Sequence, residues 1–324
     1  MTSDTDVSLK AARQKRVVLI AGPTASGKSA LALRLATRSG GVVINADAMQ
    51  VYRPLHILTA RPDDEAQAAA PHVLYGHVAA DVAYSVAQWR LEAEEAIVDA
   101  WARGLLPIVV GGTGLYFTAL EKGLADIPPI PDEVRSRWRQ ALREQGSIAL
   151  HGELARRAPD HARLLRPSDS QRIVRALEVL EATGRSLIDW QRSVAAGAGL
   201  LAEAEVARCV LVPDRKVLHD RINRRFAAMV EQGALEEVRR FIALNLPADA
   251  PVYKAIGIAE LARVLDGEIG LADAIVLAQA RTRQFAKRQL TWFRHQMAGW
   301  PNMDPDDREA VDAFIRNMVD QQAG

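Results

Sequence analysis

The stretch VVLIAGPTASGKSALALRLA, residues 17–36, decides the fold. An apolar run typical of a buried parallel strand leads into the pattern GxxxxGK[ST], and a helix-forming segment follows at once. Glycines in this pattern let backbone N–H groups close around phosphate oxygens, while the lysine adds a positive charge and the serine hydroxyl can bind Mg²⁺. The sequence therefore predicts a phosphate-binding loop of the nucleotide- and ATP-binding type, formed by Gly22, Pro23, Thr24, Ala25, Ser26, Gly27, Lys28 and Ser29.

Three more apolar runs extend this pattern along the chain. They are GVVINAD (41–47), LLPIVVGG (105–112) and CVLVPD (209–214), and stretches of helical composition at 29–38 and 86–104 lie between the first of them. Alternating strands and helices predict a right-handed α/β fold with a parallel sheet. From residue 216 to the end, the pattern predicts helices only.

A helical insertion interrupts this α/β pattern. After the proline-rich segment IPPIP (127–131), Arg-rich amphipathic helices follow up to residue 192, with breaks at Gly146, Pro159 and Pro167. A Gly/Ala stretch at 195–200 precedes the return to the sheet. We therefore predict a phosphate-binding-loop core of residues 1–124 and 204–324, and a helical insertion domain of residues 125–203.

Composition limits the class of protein. The chain has 324 residues, 49% hydrophobic and 25% charged, a net charge of +1 and one cysteine, which excludes disordered, fibrous and disulfide-bonded classes. Residues 1–10 lack the apolar core of a signal peptide, and no apolar run approaches the ~20 residues of a membrane span. We expect a cytoplasmic protein. No feature indicates an obligate protein partner, and we expect a monomer.

Positive charge is concentrated in two regions. Residues 135–192 carry twelve arginines against seven acids, and residues 281–294 carry five bases and no acid. A solvated helix face is the ordinary explanation for either region alone. Beside a phosphate-binding loop, however, two such regions favour a polyphosphate partner such as a nucleic acid.

Two aspartates end predicted strands. Asp47 is expected at the carboxyl end of a strand beside the strand of the loop, where α/β sheets bind ligands, and we interpret it as functional. It could hold Mg²⁺ or act as a general base, and Arg53 is the only nearby base in its motif. Asp214 precedes Arg215 and Lys216, and its position favours an N-cap.

Eight blocks, in order over nearly the whole chain, resemble the tRNA dimethylallyltransferases, also called isopentenyltransferases. The blocks are GPTASGKS (22–29), INADAMQVYRPL (44–55), TARP (59–62), AYSVAQW (83–89), VVGGTGLYF (109–117), QRIVRALEVLEATG (171–184), LHDRINRRFAAMVEQGALEEV (218–238) and FAKRQLTWFR (285–294). In that family the loop holds the diphosphate of dimethylallyl diphosphate rather than ATP. The prenyl group moves to N6 of the adenosine just 3′ of the anticodon. Mg²⁺ is the only metal implied.

The chemistry of this reaction suggests roles for particular residues. A carboxylate can take the proton of the weakly nucleophilic adenine amine, and Asp47 is the candidate base. The departing diphosphate requires positive charge, supplied by Lys28, Mg²⁺ and the pair Arg221 and Arg225, four residues apart on one helix face. Plain solvated charges beside Asp220 are the alternative for that pair. The resemblance implies that Thr113 meets the substrate near the transferred group, with a simple turn role as the alternative.

The resemblance also implies contacts with the anticodon stem-loop of tRNA. The residues concerned are Asp47, Ala48, Met49, Gln50, Thr113, Arg135, Gln171, Arg172, Ile173, Val174 and Arg175. Helical spacing supports one block, because Gln171 and Arg175 fall on a face opposite the apolar Ile173. Met49 and Tyr52 could line a prenyl pocket, although packing in the core is the favoured interpretation.

Three positions depart from the family pattern. A glycine is usual where this chain has Leu58, a lysine where it has Arg61, and a tyrosine where it has Ile258. These departures concern local tRNA contacts near residues 254–258 and not the reaction. Two other functions fit the loop: an ATP-dependent phosphotransferase acting on a nucleoside or small metabolite, and a non-catalytic RNA-binding nucleotide switch, for which no sensor segment is evident.

Overall fold

The computed structural model describes residues 15–193 and 199–323. The chain divides into two compact units, which we call the sheet unit, residues 1–121 with 199–324, and the helical unit, residues 122–198. The predicted boundaries, after residues 124 and 203, fall a few residues further along the chain. Residues 1–10 and most of the Gly/Ala stretch at 195–200 lie outside the described residues.

A parallel six-stranded sheet forms the centre of the sheet unit. Its strands are β1 (Arg16–Ala21), β2 (Gly41–Asn45), β3 (His72–Val73), β4 (Leu106–Gly111), β5 (Glu205–Leu211) and β6 (Asn302–Met303), in the order β3-β2-β4-β1-β5-β6. β1, β2 and β4 are buried along their whole length, which explains their continuous apolar runs. The predicted α/β class is confirmed.

The order of the strands corrects one expectation. Asp47 follows β2, but β2 does not lie beside β1, because β4 pairs with both of them. The chain passes from β2 to the edge strand β3 before it returns to fill the gap with β4. The carboxyl end of β4 therefore lies between the phosphate-binding loop and the segment that carries Asp47.

Helices cover the sheet before the insertion begins. They are α1 (Lys28–Ser39), α2 (Asp64–Ala69), α3 (Val86–Ala102) and α4 (Gly114–Lys122). α3 begins with a reciprocal capping box between Ser85 and Gln88, and Gly104, with a φ of 70°, follows its end. Trp89 of α3 is fully buried and donates its indole N–H to the carbonyl of Asn45 at 2.7 Å, which ties this helix to the end of β2.

The helical unit contains α5 (Asp132–Arg157), α6 (Pro159–Ala162), α7 (Ser170–Thr183) and α8 (Leu187–Arg192). The breaks follow the sequence signals, since Gly146 has a φ of 78° inside α5 and Pro159 opens α6. Leu150 and Leu154 of α5 share an apolar cluster with Ile173 of α7, and this cluster is the core of the helical unit.

The last part of the chain returns to the sheet unit. It contains α9 (Arg215–Glu231), α10 (Ala234–Ile242), α11 (Ile258–Leu265), α12 (Leu271–Gln296) and α13 (Arg308–Ala323). The prediction that only helices follow residue 216 is wrong at β6, where the Met303 carbonyl accepts the Val212 N–H at 2.9 Å. A two-residue edge strand is too short to show an alternating pattern. Within the described ranges, no helix is both long enough and apolar enough to span a bilayer.

Candidate active site

The predicted phosphate-binding loop connects β1 to α1. Gly27, directly before α1, has a φ of 88°, and no side chain caps the N–H groups of the first helical turn. The Pro23 carbonyl accepts the Ser26 N–H at 3.2 Å and the Lys28 ammonium at 3.2 Å. The loop thus places the uncapped N-terminus of α1 beside the Lys28 side chain, an arrangement suited to a phosphate group.

Asp47 lies just beyond the end of β2, in a segment fixed by the side chain of Asn45. Asn45 is fully buried, accepts the Asp47 N–H at 2.9 Å and donates to the carbonyls of Asp47 and Leu74 at 3.1 and 2.9 Å. The carboxylate of Asp47 in turn accepts the Met49 N–H through Oδ1 at 2.9 Å. Asn45 was missed by sequence reasoning, although a polar residue inside an apolar strand is a signal that could have revealed it.

Thr113 follows β4 and contacts the same segment. Its N–H donates to the Ala46 carbonyl at 3.1 Å, and its hydroxyl oxygen accepts the Ala48 N–H at 2.9 Å. Thr113 therefore contacts the residues on both sides of Asp47. A threonine hydroxyl that accepts one hydrogen bond can still donate its own proton to a ligand.

Three charged side chains come together beside the loop: Lys28, Asp47 and Arg225 of α9. Burial lowers the pKa of Lys28 to about 8, Asp47 opposes this shift and Arg225 adds to it. Burial also lowers the pKa of Arg225, again opposed by Asp47. Asp47 thus interacts with two cations that are distant in sequence. The expectation that Arg53 is the only base near Asp47 is wrong, because Lys28 and Arg225 interact with this carboxylate, whereas Arg53 is exposed and donates to the His77 carbonyl at 3.2 Å.

Two tyrosines lie close to the same carboxylate. Burial raises the pKa of Tyr75 and of Tyr116, and the negative charge of Asp47 raises both further. Tyr116 is buried and stacks on Trp89 with 4.2 Å between ring centroids. Asp47 therefore interacts with two tyrosines as well as with two cations.

Arg221 does not join the charged group, although Arg225 does. The Arg221 guanidinium forms an ion pair with Asp306, in the segment that precedes α13. In the same segment Pro305 lies beside Gly27 of the loop, so this ion pair is close to the phosphate-binding region. The structure thus brings one of the two predicted arginines together with Lys28 and Asp47, and gives the other a carboxylate partner.

The remaining residues of the 48–52 segment have internal partners. Tyr52 is buried and donates its hydroxyl to the Val82 carbonyl at 3.2 Å, as the favoured core interpretation required. Met49 packs against the same apolar cluster. The Gln50 side-chain amide donates to the carbonyls of Thr59 and Ala60 at 2.8 and 3.1 Å, so its N–H groups hold the following turn. Asp214 caps α9 as predicted, accepting two backbone N–H groups.

Glu237, a buried carboxylate that the sequence did not reveal, supports the turn at residues 56–58. Glu237 of α10 accepts the backbone N–H groups of residues 56, 57 and 58 at 2.7 to 2.9 Å. The departures from the family pattern lie close to this turn: Leu58 and Ile258 share one apolar cluster, and Arg61 donates to the Tyr52 carbonyl at 3.4 Å.

In the helical unit, the predicted tRNA-binding block divides into two faces of α7. Gln171 and Arg172 are exposed and Arg175 is half-buried. Ile173 and Val174 are 0% and 7% exposed and belong to the core of this unit. Their predicted role as tRNA contacts is corrected, because neither side chain lies on the surface.

The three arginines predicted to contact tRNA have acidic neighbours on their own chain segments. Arg135 lies 3.8 Å from Asp132, and Arg172 lies 3.5 Å from Asp169. Arg175 lies 3.5 Å from Glu178. The first two pairs are exposed and contribute little free energy, so a phosphate group can replace the carboxylate at small cost, whereas Glu178 is buried beside Arg175.

The fold and the site define a class of protein. A parallel α/β sheet carries a GxxxxGK[ST] loop, and a carboxylate and a hydroxyl follow the ends of two neighbouring strands, β2 and β4. This is a parallel α/β protein with a loop of the phosphate-binding type at the carboxyl edge of its sheet.

Comparisons with known proteins narrow the class. The family profile described as IPP transferase matches residues 50–296, and one described as isopentenyl transferase matches residues 15–72. The tRNA dimethylallyltransferase of Agrobacterium fabrum (strain C58) is 53% identical over 289 residues, covering 89% of this chain and 96% of the relative. That of Azorhizobium caulinodans is 56% identical over 89% of this chain and 92% of the relative.

Solved structures agree with these sequence matches. The full-length tRNA isopentenylpyrophosphate transferase from Bacillus halodurans is 32% identical, with a TM-score of 0.67 over 96% of this chain and 97% of that one. A eukaryotic dimethylallyltransferase acting on tRNA is 28% identical, with a TM-score of 0.78 over 94% and 80%. The chain belongs to the tRNA dimethylallyltransferase family, a family of prenyltransferases. The phosphotransferase alternative is not favoured.

Proposed function

We propose that this chain transfers the dimethylallyl group of dimethylallyl diphosphate to N6 of the adenosine just 3′ of the anticodon in tRNA, with release of diphosphate. Its membership of the tRNA dimethylallyltransferase family supports both substrates. The observation that supports this chemistry most directly is the proximity of Asp47 to Lys28 and Arg225 beside the loop. A carboxylate and two cations suit a reaction that removes a proton at one atom and expels an anion at another.

The loop side of the site is suited to the leaving group. In the reaction the bond between the prenyl carbon and the diphosphate oxygen breaks, and its electron pair leaves with the diphosphate. Open N–H groups of the loop, Lys28 and Arg225 stabilise the negative charge that develops there. Arg221 joins them when a diphosphate replaces Asp306 as its partner.

Mg²⁺ fits this side as the cofactor. Among the described residues, no group of three or more His, Cys, Asp or Glu could hold a metal ion, so a site made of protein ligands alone is not present there. Mg²⁺ commonly binds through one or two protein groups together with substrate phosphates. Ser29, exposed in the first turn of α1, would hold it, and the ion would supply further positive charge to the diphosphate.

The other side is suited to the adenine amine. Oδ1 of Asp47 accepts the Met49 N–H, and a carboxylate has capacity for further donors on its second oxygen. Asp47 accepts the proton that N6 loses as the N–C bond forms. Thr113, whose hydroxyl oxygen accepts the Ala48 N–H, donates its own O–H to a substrate atom.

The tRNA must present an unstacked base to this site. Enzymes that modify a base pay for its removal from the stack and replace the lost contacts with protein groups. Exposed side chains of the helical unit, Gln171, Arg172 and Arg175 with Arg135, supply contacts to the anticodon stem-loop. We also propose that the chain acts as a monomer, which sedimentation with and without tRNA measures.

Calorimetric titration and a transfer assay test this function together. We expect dimethylallyl diphosphate with Mg²⁺ to bind more tightly than ATP, and a radiolabelled prenyl group to appear in an anticodon stem-loop RNA. A matched RNA with guanosine in place of the target adenosine lacks the N6 amine and should remain unlabelled. Tight binding of ATP with no binding of the prenyl donor would reject the proposal in favour of a phosphotransferase.

A further inference from the structure

The side chain of Gln289, in α12, lies between the two halves of the site. It is 6% exposed and forms two hydrogen bonds to backbone atoms of separate loops. Its Oε1 accepts the Thr24 N–H of the phosphate-binding loop at 2.9 Å, and its Nε2 donates to the Gly112 carbonyl, beyond β4, at 2.9 Å. The orientation of the amide is fixed, because an N–H can only donate and a carbonyl can only accept.

Two glycines make room for α12 at this place. A Cβ on Gly112 would lie 2.2 Å from Nε2 of Gln289, and a Cβ on Gly114 would lie 2.1 Å from the ring of Trp292. Gln289 and Trp292 are three residues apart, so they lie on one face of the helix. The turn with Thr113 at its centre is therefore in direct contact with α12 on both sides of that threonine.

The same turn is bound to the segment that carries Asp47. Thr113 contacts the backbone of Ala46 and Ala48, on either side of the aspartate, at 3.1 and 2.9 Å. A continuous path of hydrogen bonds thus runs from Thr24 through Gln289 and the turn to the Asp47 segment. A direct link between the Gly22 N–H and the Gly111 carbonyl is longer, at 3.3 Å.

We propose that Gln289 is a positioning residue that sets the separation between the diphosphate site and the Asp47 and Thr113 site. This inference rests on the proposed function, because it assigns the donor to the first site and the adenine amine to the second. Gln289 acts through the two loops it joins. A displacement of about 1 Å between reacting groups can cost on the order of 10²-fold in rate. One amide that holds both loops at hydrogen-bond length therefore has a large effect on the rate of transfer.

Two substitutions separate the two bonds of Gln289. Gln289→Met keeps the length of the side chain and removes both bonds, whereas Gln289→Glu can still accept from Thr24 but cannot donate to Gly112. Gln279→Met is the matched control: Gln279 also lies in α12 and donates one hydrogen bond to a backbone carbonyl, that of Asn223, at 3.0 Å.

We expect the loss to fall on the transfer step. In single-turnover experiments with both substrates saturating, Gln289→Met should slow transfer by about 10-fold to 100-fold, and Gln289→Glu should also slow it. The dissociation constants of donor and tRNA should change by less than about threefold, and Gln279→Met should transfer at the parent rate. Parent-like transfer by Gln289→Met, or an equal loss in Gln279→Met, would overturn the proposal.

Hydrogen exchange at the Thr24 amide tests the link without either substrate. Gln289→Met should accelerate this exchange, whereas Gln289→Glu should keep it slow, because the carboxylate still accepts the N–H. Unchanged exchange in Gln289→Met would also overturn the proposal. If the parent protein transfers no prenyl group, the proposed function fails. The exchange rate of the Thr24 amide still shows whether Gln289 links the two loops.

Discussion

The candidate active site of the sheet unit and the charged surface of the helical unit are held in opposite ways. In the sheet unit, the fully buried Asn45 side chain makes three hydrogen bonds to backbone atoms, while Thr113 makes two to the segment that carries Asp47. In the helical unit, Arg172 is exposed and Arg175 is half-buried, and each lies 3.5 Å from a carboxylate of its own segment. The first arrangement fixes reacting groups in place. The second provides charge whose position can adjust to a partner.

This difference predicts how the two regions respond to substitution. Groups in a buried, preorganised site act on charge as it develops, where removal of one group costs orders of magnitude in rate. Exposed charges act mainly through counterion release, and each contributes a small and salt-dependent share of affinity.

The largest effect is expected for Asp47→Asn, which keeps the shape of the side chain and removes the proton acceptor. Transfer in a single turnover should slow by ~10² to 10⁴, the usual share of general acid–base catalysis, while donor binding at neutral pH survives. A Mg²⁺ titration of the same variant separates the two roles left open for this carboxylate. Full rescue by excess metal contradicts the assignment as base and makes Asp47 a metal-binding group.

Lys28→Ala should have the next largest effect. It removes one charge-assisted contact to the diphosphate, worth on the order of 1.5 to 3 kcal/mol, or about 10-fold to 150-fold in donor affinity. The rate should fall as well, because the same charge stabilises the leaving group. Calorimetric titration with donor and Mg²⁺ measures the affinity. Unchanged kinetics at subsaturating donor would remove Lys28 from the site.

The parts of the molecule that could be predicted from sequence are those set by local signals. The phosphate-binding loop, the Asp214 cap of α9 and the break of α5 at Gly146 each depend on a few consecutive residues, and each lies where the pattern predicted. β4 could be predicted as a strand, but its place between β1 and β2 could not, because strand order depends on how distant segments pair.

Contacts between residues far apart in the chain could not be predicted from the sequence either. The ion pair of Arg221 with Asp306 joins residues 85 positions apart, and Gln289 reaches Gly112 across 177 positions. Gln289 lies within a strongly basic segment, so its surroundings in the sequence indicate an exposed surface. Only the packing of α12 on the turn at Thr113 shows that this one polar side chain points inward.

The pH dependence of donor binding is a smaller effect that tests the charge of Lys28. In the free protein the pKa of Lys28 is about 8, so the side chain loses its proton as the pH rises through this value. A bound diphosphate favours the protonated form, so donor affinity should fall by up to about tenfold per pH unit above 8, with proton uptake on binding.

Lys28→Arg provides the control for this pH effect. Arginine stays protonated throughout the range, so the variant should bind the donor with an affinity that is nearly independent of pH between about 8 and 9.5. Calorimetry in two buffers of different ionisation enthalpy measures the proton uptake directly. A parent protein whose donor affinity stays flat across this range would contradict the lowered pKa.

The smallest effect is expected for Arg175→Ala on the exposed face of α7. If Arg175 contacts a backbone phosphate of tRNA, its loss should weaken binding only several-fold at moderate salt, but should flatten the slope of log affinity against log salt by about one. Arg156→Ala is the matched control, because Arg156 is an exposed arginine of the same unit that forms an i,i+3 pair with Glu153. It should leave the slope unchanged. Equal slopes for the parent and for Arg175→Ala would mean that Arg175 is an ordinary solvated charge. The fixed arrangement of the sheet unit would then still stand, but Arg175 would no longer be evidence for an adaptable tRNA-binding surface on the helical unit.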